Sequence, residues 1–440
     1  MNRGIFTLTA GLIFAAIATA DDLPPGVLLL SQVKRHVEEE LQRLSNVSCL
    51  ETVHREHQPA KGKLEPLDTI RLEVLINGDK ELYASPGDRR FSENHPGSFV
   101  GSGAISDGIF GTYLKSVLVT GSVANRYQGE EAIGGRRLAR WDYRLPLMWS
   151  GQAVQIPEGS GNVGLHGSYW ADPRTLDLVR LELDADDIPP ALPIAKMVTT
   201  IDYARTRLSD ELEVLLPQTA DFLLVKNSGE TSYNRIEFTH CRVFGADTSI
   251  DFGAPDAAQP RPSFGVASVD DTLRPLPAGL QIAVKLRTPI TADMAVGALI
   301  EGVVGSSVQQ KGKVVIAAGS PVRGRIRRLE RYSDPVPFMV VGLEFTEVEL
   351  EGIRYRFYAD LVEIGPATGV EQTLHTPYAT KDGRFQSPTA YGSQGLGERR
   401  TSETIWTYHL PGVATFFYHG GKLDLPAGFR TVWKTLPLAP

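Results

Sequence analysis

Cysteine is almost absent from this 440-residue chain: it has two, Cys49 and Cys241, and no C-x-x-C pair. A disulfide-stapled miniature fold and a cysteine-ligated structural zinc are thereby excluded. Long apolar runs are also missing. Apart from IFTLTAGLIFAAI after Arg3, nothing approaches the roughly 20 apolar residues of a membrane-spanning helix. Surplus charge is small, with 45 Lys+Arg against 52 Asp+Glu and a net charge of −7, which argues against a nucleic-acid partner. The familiar catalytic signatures G-x-S-x-G, H-E-x-x-H and the phosphate-binding G-x-x-x-x-G-K-[ST] loop do not occur either. No cofactor and no metal are expected.

What is present begins at the N-terminus. Arg3, the short apolar run and then Ala18, Thr19 and Ala20 before Asp21 read as a secretory signal peptide over 1–20, cleaved after Ala20. No cysteine stands at the expected new N-terminus, so a lipid anchor is not expected. The mature protein is expected in the periplasm. In that oxidising compartment an even cysteine count favours a disulfide between Cys49 and Cys241, the alternative being two buried thiols.

The 43 glycines and 29 prolines point to many turns and hence to β structure. Leu30, Val33, Val37, Leu41 and Leu44 recur at helical spacing behind Pro24 and Pro25. A second helix is expected over 107–119, where Phe110, Leu114 and Val117 share a side. Elsewhere the period is two. DTIRLEVLI sets Ile70, Leu72, Val74 and Ile76 on one face, and Ala139, Trp141, Tyr143 and Leu145 alternate with charged residues. An antiparallel sheet covered by the two helices is the natural packing. At APDAAQPRPS periodicity stops, which suggests a linker over 253–272. Short strands resume beyond it, with a polar insertion at 366–404 expected as a long loop or disordered. A two-residue Glu351-Gly352 turn would set Leu350 opposite Ile353, Glu349 opposite Arg354, Val348 opposite Tyr355 and Glu347 opposite Arg356. GVATFFYH, a Gly-Gly turn and LPAGFRTVWKTLPL read as a final hairpin. The doubled LPAG at Leu276 and Leu425 suggests that the opening and closing strands of the second domain lie together.

The helix-strand start, the ADPRTLDLVRLELDADDIPP hairpin and the IDYARTRL strand resemble the outer-membrane lipoprotein carrier (LolA-like) superfamily over roughly residues 27–252. LPAGLQIAVKLRTPI followed by KVVIAAGSPVRGRI is similar to the β-barrel domain of TrbI-like secretion-channel subunits. These resemblances imply a mainly β chain with two or three helices. An N-terminal antiparallel half-barrel sheet covered by helices would occupy 21–252, and a small β-barrel 273–440. The combination also looks like uncharacterised two-domain envelope proteins of bacteria with an outer membrane. The first resemblance further implies an apolar ligand, a lipid or lipoprotein acyl chain, on the concave face carrying Leu72, Val74, Trp141, Tyr143 and Leu181.

Other motifs have plain readings beside functional ones. Arg323, Arg325 and Arg327 alternate along one strand, as a solvated face or as contacts to an anionic envelope polymer or lipid headgroup. His54 and His57 fall on opposite strand faces, which disfavours chelation. Asp184, Asp186 and Asp187 suit a solvated strand end better than Ca²⁺, and PGSFVGSGAISDG suits a mobile lid or crossing loop better than an anion cradle. The leading expectation is therefore a non-enzymatic periplasmic carrier of an apolar ligand. A structural scaffold that contacts an envelope protein partner is the alternative, and a hydrolase with an unrecognised site the next.

Overall fold

The computed structural model describes residues 25–77, 80–88, 91, 96–100, 102–120, 123–156, 158–244, 273–333, 336–371, 378–379, 384–386, 406–408, 412–420 and 422–437. The expected signal peptide, the linker over 253–272 and most of the 366–404 insertion lie outside these residues. Among the described residues the fold is mostly β, with three α-helices.

Eleven strands build the first sheet: β1 (Val47–Gln58), β2 (Glu65–Asn77), β3 (Lys80–Ala84), β4 (Ala124–Ile133), β5 (Arg136–Leu145), β6 (Gln152–Ile156), β7 (Gly159–Ala171), β8 (Leu178–Asp186), β9 (Ile194–Arg207), β10 (Glu213–Lys226) and β11 (Thr231–Val243). Their order is β3-β2-β1-β11-β10-β9-β8-β7-β5-β4, all antiparallel, with β6 on β7. Pairing of β1 with β11 brings the two ends of this segment together, and β3 and β4 are left as edges. Strand alternation gives the curled sheet an apolar concave side, and helix α1 (Pro25–Arg43) lays Val33 and Val37 into it.

The second helix expected over 107–119 is broken. Its α-helical part, α2, is only Thr112–Leu114, and a π-helical turn, Lys115–Val119, continues it. Glycine at 108, with φ 79°, interrupts the upstream half. A third short helix, α3 (Leu147–Ser150), follows β5.

A nine-stranded sheet forms the second unit. Its strands 353–356, 338–350, 321–332, 299–304, 281–286, 430–435 and 359–364 are neighbours in that order. The hairpin at 351–352 has the register that charge and apolar matching require, Glu347 opposite Arg356 through Leu350 opposite Ile353. The doubled LPAG has its explanation: Gln281–Leu286 pairs antiparallel with Arg430–Thr435, Ile282 standing opposite Trp433. The expected final hairpin does not form. Ala414–His419 pairs with Phe338–Leu350, whereas Arg430–Thr435 lies between 281–286 and 359–364. A tight turn would have paired the two segments with each other, but the chain pauses at Asp424–Leu425 to bridge Ile290–Thr291. Within the insertion, Tyr378–Ala379 and Arg384–Gln386 make a small sheet with Trp406–Tyr408 instead of a plain loop.

The two units share a contact. Val296 donates its N–H to Thr69 O at 2.8 Å and accepts from Arg71 N at 3.0 Å, a one-residue parallel bridge to β2. Gly297 makes this approach possible, because a Cβ there would stand 2.5 Å from Arg71 O. Two buried ion pairs lie near the same contact: Arg55 with Asp68 at 2.7 and 2.6 Å, and Arg328 with Glu330 at 2.9 and 2.6 Å.

Candidate functional site

On the concave side of the first sheet, register aligns Trp141 of β5, Tyr169 of β7, Leu181 of β8 and Ile201 of β9 in one row. Trp141 and Tyr169 stack with centroids 5.5 Å apart, and Tyr127 of β4 adds a ring 5.3 Å from Trp141. The five residues singled out from sequence, Leu72, Val74, Trp141, Tyr143 and Leu181, all join one continuous apolar cluster, none more than 4 % exposed. That face is not an open trough. Phe110, Tyr113, Leu114, Val117 and Leu118 belong to the same cluster and cover it, beside Val33, Val37 and Leu44.

Polar atoms inside this apolar layer are mostly matched. Tyr143 donates its hydroxyl to Glu182 O at 3.0 Å, leaning across Gly167, where a Cβ would stand 2.0 Å from that same oxygen. Tyr169 donates to Asn125 Oδ1 at 2.8 Å. Two donors are not matched. The Trp141 indole N–H and the Tyr203 hydroxyl are buried without a hydrogen-bond partner among the described residues. An unmatched buried donor costs about 1–3 kcal/mol, which a bound acceptor would return.

The cover begins at a single carboxylate. Glu81 of β3 accepts from Gly111 N at 2.8 Å, Thr112 N at 3.0 Å, Gly108 N at 3.1 Å and the Tyr83 hydroxyl at 2.8 Å. It thereby holds the open amides at the start of α2, as a capping side chain does. Glu51 of β1 is buried nearby. Burial first, then the charges of Glu81 and Asp107, raise its pKa to about 8. Burial also pushes the Tyr83 and Tyr113 hydroxyls up. Glu51 and Glu81 escaped the sequence reading, although a signal existed. On β1 the inward parity runs Val47, Cys49, Glu51, Val53, Arg55, so two charged residues occupy apolar positions. A charge at such a position announces a buried partner.

Cys49 and Cys241 are joined by a disulfide. The β1–β11 register shifts between Ser48 and Leu50, and His240, at φ 50°, turns the chain there to bring Cys241 against Cys49. The arginine row faces carboxylates. Arg323 meets Glu349 at 3.3 Å and Glu347 at 4.0 Å, Arg325 meets Asp88 at 2.5 Å, and Arg327 meets Glu344 at 2.5 Å. These partners sit on the neighbouring strand and, for Arg325, on the first unit, so the row is a pairing surface instead of a free basic face. His54 bonds Thr69 at 3.1 Å, and Asp186 and Asp187 face Arg144. Among the described residues no group of three His, Cys, Asp or Glu is placed to hold a metal. No described helix is long and apolar enough to cross a membrane.

No protein-family model matches the sequence, and no curated protein does. Among solved structures, the chain is similar to a DUF1329 family protein of Desulfovibrio piger ATCC 29098, with 13 % identity, a TM-score of 0.27, and coverage of 52 % of this chain and 96 % of that one. It is similar to a putative outer membrane lipoprotein-sorting protein domain of Vibrio parahaemolyticus, with 11 % identity, a TM-score of 0.27, and coverage of 50 % and 95 %. It is also similar to a LolA superfamily protein of Nitrosomonas europaea, with 11 % identity, a TM-score of 0.23, and coverage of 48 % and 93 %.

Proposed function

We propose that the protein is a non-enzymatic envelope protein, exported to the periplasm, that binds an apolar ligand carrying hydrogen-bond acceptors in the concave face of its first sheet. A lipid or lipoprotein acyl chain with its ester carbonyls has this chemistry. The observation that carries the reading is the pair of unmatched donors, Trp141 Nε1 and Tyr203 OH, buried on the concave face among mostly apolar side chains. The layer is filled by the cover, so a ligand takes the place of Phe110, Tyr113, Leu114 and Val117. Leu72, Val74, Trp141, Tyr143 and Leu181 would then line the chain, and the two donors would meet its oxygens. The disulfide suits an oxidising compartment.

The test is native mass spectrometry of protein purified from the envelope, together with titration of a fluorescent fatty acid. Bound lipid and saturable binding are expected. Tyr203→Phe removes only the unmatched hydroxyl, so it should leave the melting temperature unchanged or higher while weakening binding about fivefold. Protein free of lipid that also fails to bind the fatty acid would overturn the reading. The second reading, a scaffold acting through protein contacts, draws on the strand bridge between the two units and on the buried ion pairs beside it, Arg55 with Asp68 in the first unit and Arg328 with Glu330 in the second. It predicts that a partner co-purifies and that neither lipid assay responds.

A further inference from the structure

The cover is too short to order itself. Three α-helical and five π-helical residues fall well below the length at which a helix is stable in water, so its position depends on what holds its ends. One hold is Glu81, on its own sheet. Others lie upstream, and three of them reach across to the second unit. Arg325 donates to Asp88 Oδ1 at 2.5 Å and to Pro86 O at 2.9 Å. The Arg327 guanidinium stands 5.9 Å from the centroid of the Phe99 ring. The Tyr332 hydroxyl and Ser102 Oγ are 2.9 Å apart. The first unit grips the same stretch from the other side, through Arg55 to Ser102 O at 2.5 Å and Asn234 to Ala104 O at 2.9 Å. The three residues that reach across all come from one strand, Pro321–Tyr332, and two of them, Arg325 and Arg327, belong to its alternating arginine row.

We infer that the second unit clamps the cover shut: Arg325, Arg327 and Tyr332 hold Asp88, Phe99 and Ser102 so that the cover stays on the concave face, and loosening this contact opens it. This rests on the ligand reading for what the open face takes up, but not for the clamp itself. Arg325 can act in this way because its side chain is 10 % exposed and already bonds Gly297 O at 3.0 Å, so it is fixed before Asp88 arrives. Tyr332 is fixed likewise by Glu330 at 3.0 Å. Only five residues separate Ser102 from Gly108, so a pull on the clamp reaches the amides that Glu81 caps.

The test is hydrogen–deuterium exchange on the full-length protein, comparing wild type with Arg325→Ala/Tyr332→Phe and, from the opposite side, Asp88→Asn/Ser102→Ala. Both doubles should exchange about tenfold faster over residues 108–120 while β9 and β10 keep their protection. Uptake of a fluorescent fatty acid should quicken in parallel. Folded variants whose cover exchanges at the wild-type rate would overturn the clamp. Equal acceleration across the whole chain would also overturn it, since the contacts would then support stability alone. Faster exchange of the cover in proteins that take up no fatty acid would uphold the clamp and remove the ligand reading.

Discussion

Glu51 illustrates how much one residue can hold in this fold. It occupies an apolar position of β1, and folding leaves its carboxyl protonated near neutral pH, because burial and the facing charges of Glu81 and Asp107 raise its pKa from 4.5 to about 8. The Tyr83 hydroxyl, the fourth titratable group of this cluster, stays neutral because burial raises its pKa as well. A raised acid stabilises the folded state fully below its unfolded pKa, and that contribution is lost as pH climbs through the folded one. The melting temperature should therefore decline from about pH 5 to about pH 8 and then level. Glu51→Gln, which mimics the protonated form, should remove that part of the decline. Melts whose slope over this window is the same in both proteins would assign the titration to another group. Glu330 runs the other way. Burial alone would raise its pKa, but Arg328 and Arg55 outweigh burial and hold it below the usual range.

At the scale of elements, the cover is the piece whose stability is borrowed. Its α-helical part is three residues long, and its first amides converge on Glu81. Replacing Glu81 by Ala leaves those amides without their side-chain acceptor, at a cost of about 1–3 kcal/mol. We expect the loss to appear as faster hydrogen exchange over 108–120 and a lower melting temperature, with Glu81→Gln recovering part of both through its remaining carbonyl oxygen. A cover that keeps full protection in Glu81→Ala would show that side-chain packing alone fixes it. The π-helical turn adds to this economy of support, since such turns depart from the regular ladder of a longer helix.

For the whole molecule, the decisive strand is among the last. Arg430–Thr435 sits between 281–286 and 359–364, and Leu423, Leu425, Phe429, Val432 and Trp433 are all buried. Each such side chain contributes about 1.5–3 kcal/mol, and five of them together match the stability of an entire domain. Deleting residues 422–440 should therefore unfold the second unit, measured as loss of its melting transition, while β1 to β11 remain folded. A truncated protein with an unshifted second transition would show that the doubled LPAG closes nothing. The Cys49–Cys241 disulfide ties the first strand of the first sheet to its last, and so secures that unit independently of the second.

Periodicity and turn chemistry alone determined the mainly β character, the first helix, the inward parity of β2 and β5, and the register at 351–352. They did so because strand alternation, helical spacing and cross-strand charge matching are local properties. The pairing of 281–286 with 430–435 was also legible, through the repeated LPAG, although about 150 residues lie between. Other features were decided only in three dimensions. The hold on the start of the second helix depended on Glu81, which comes from another element. Strand Ala414–His419 had two possible neighbours, and the long-range contact with 338–350 won over the adjacent partner. The arginine row looked like a solvated face because the carboxylates that meet it come from a neighbouring strand and, at Asp88, from the other unit. Above all, whether the concave face stands open or covered depends on how Phe110, Tyr113 and Leu114 pack against strands far away in sequence, and burial of that kind has no local signature.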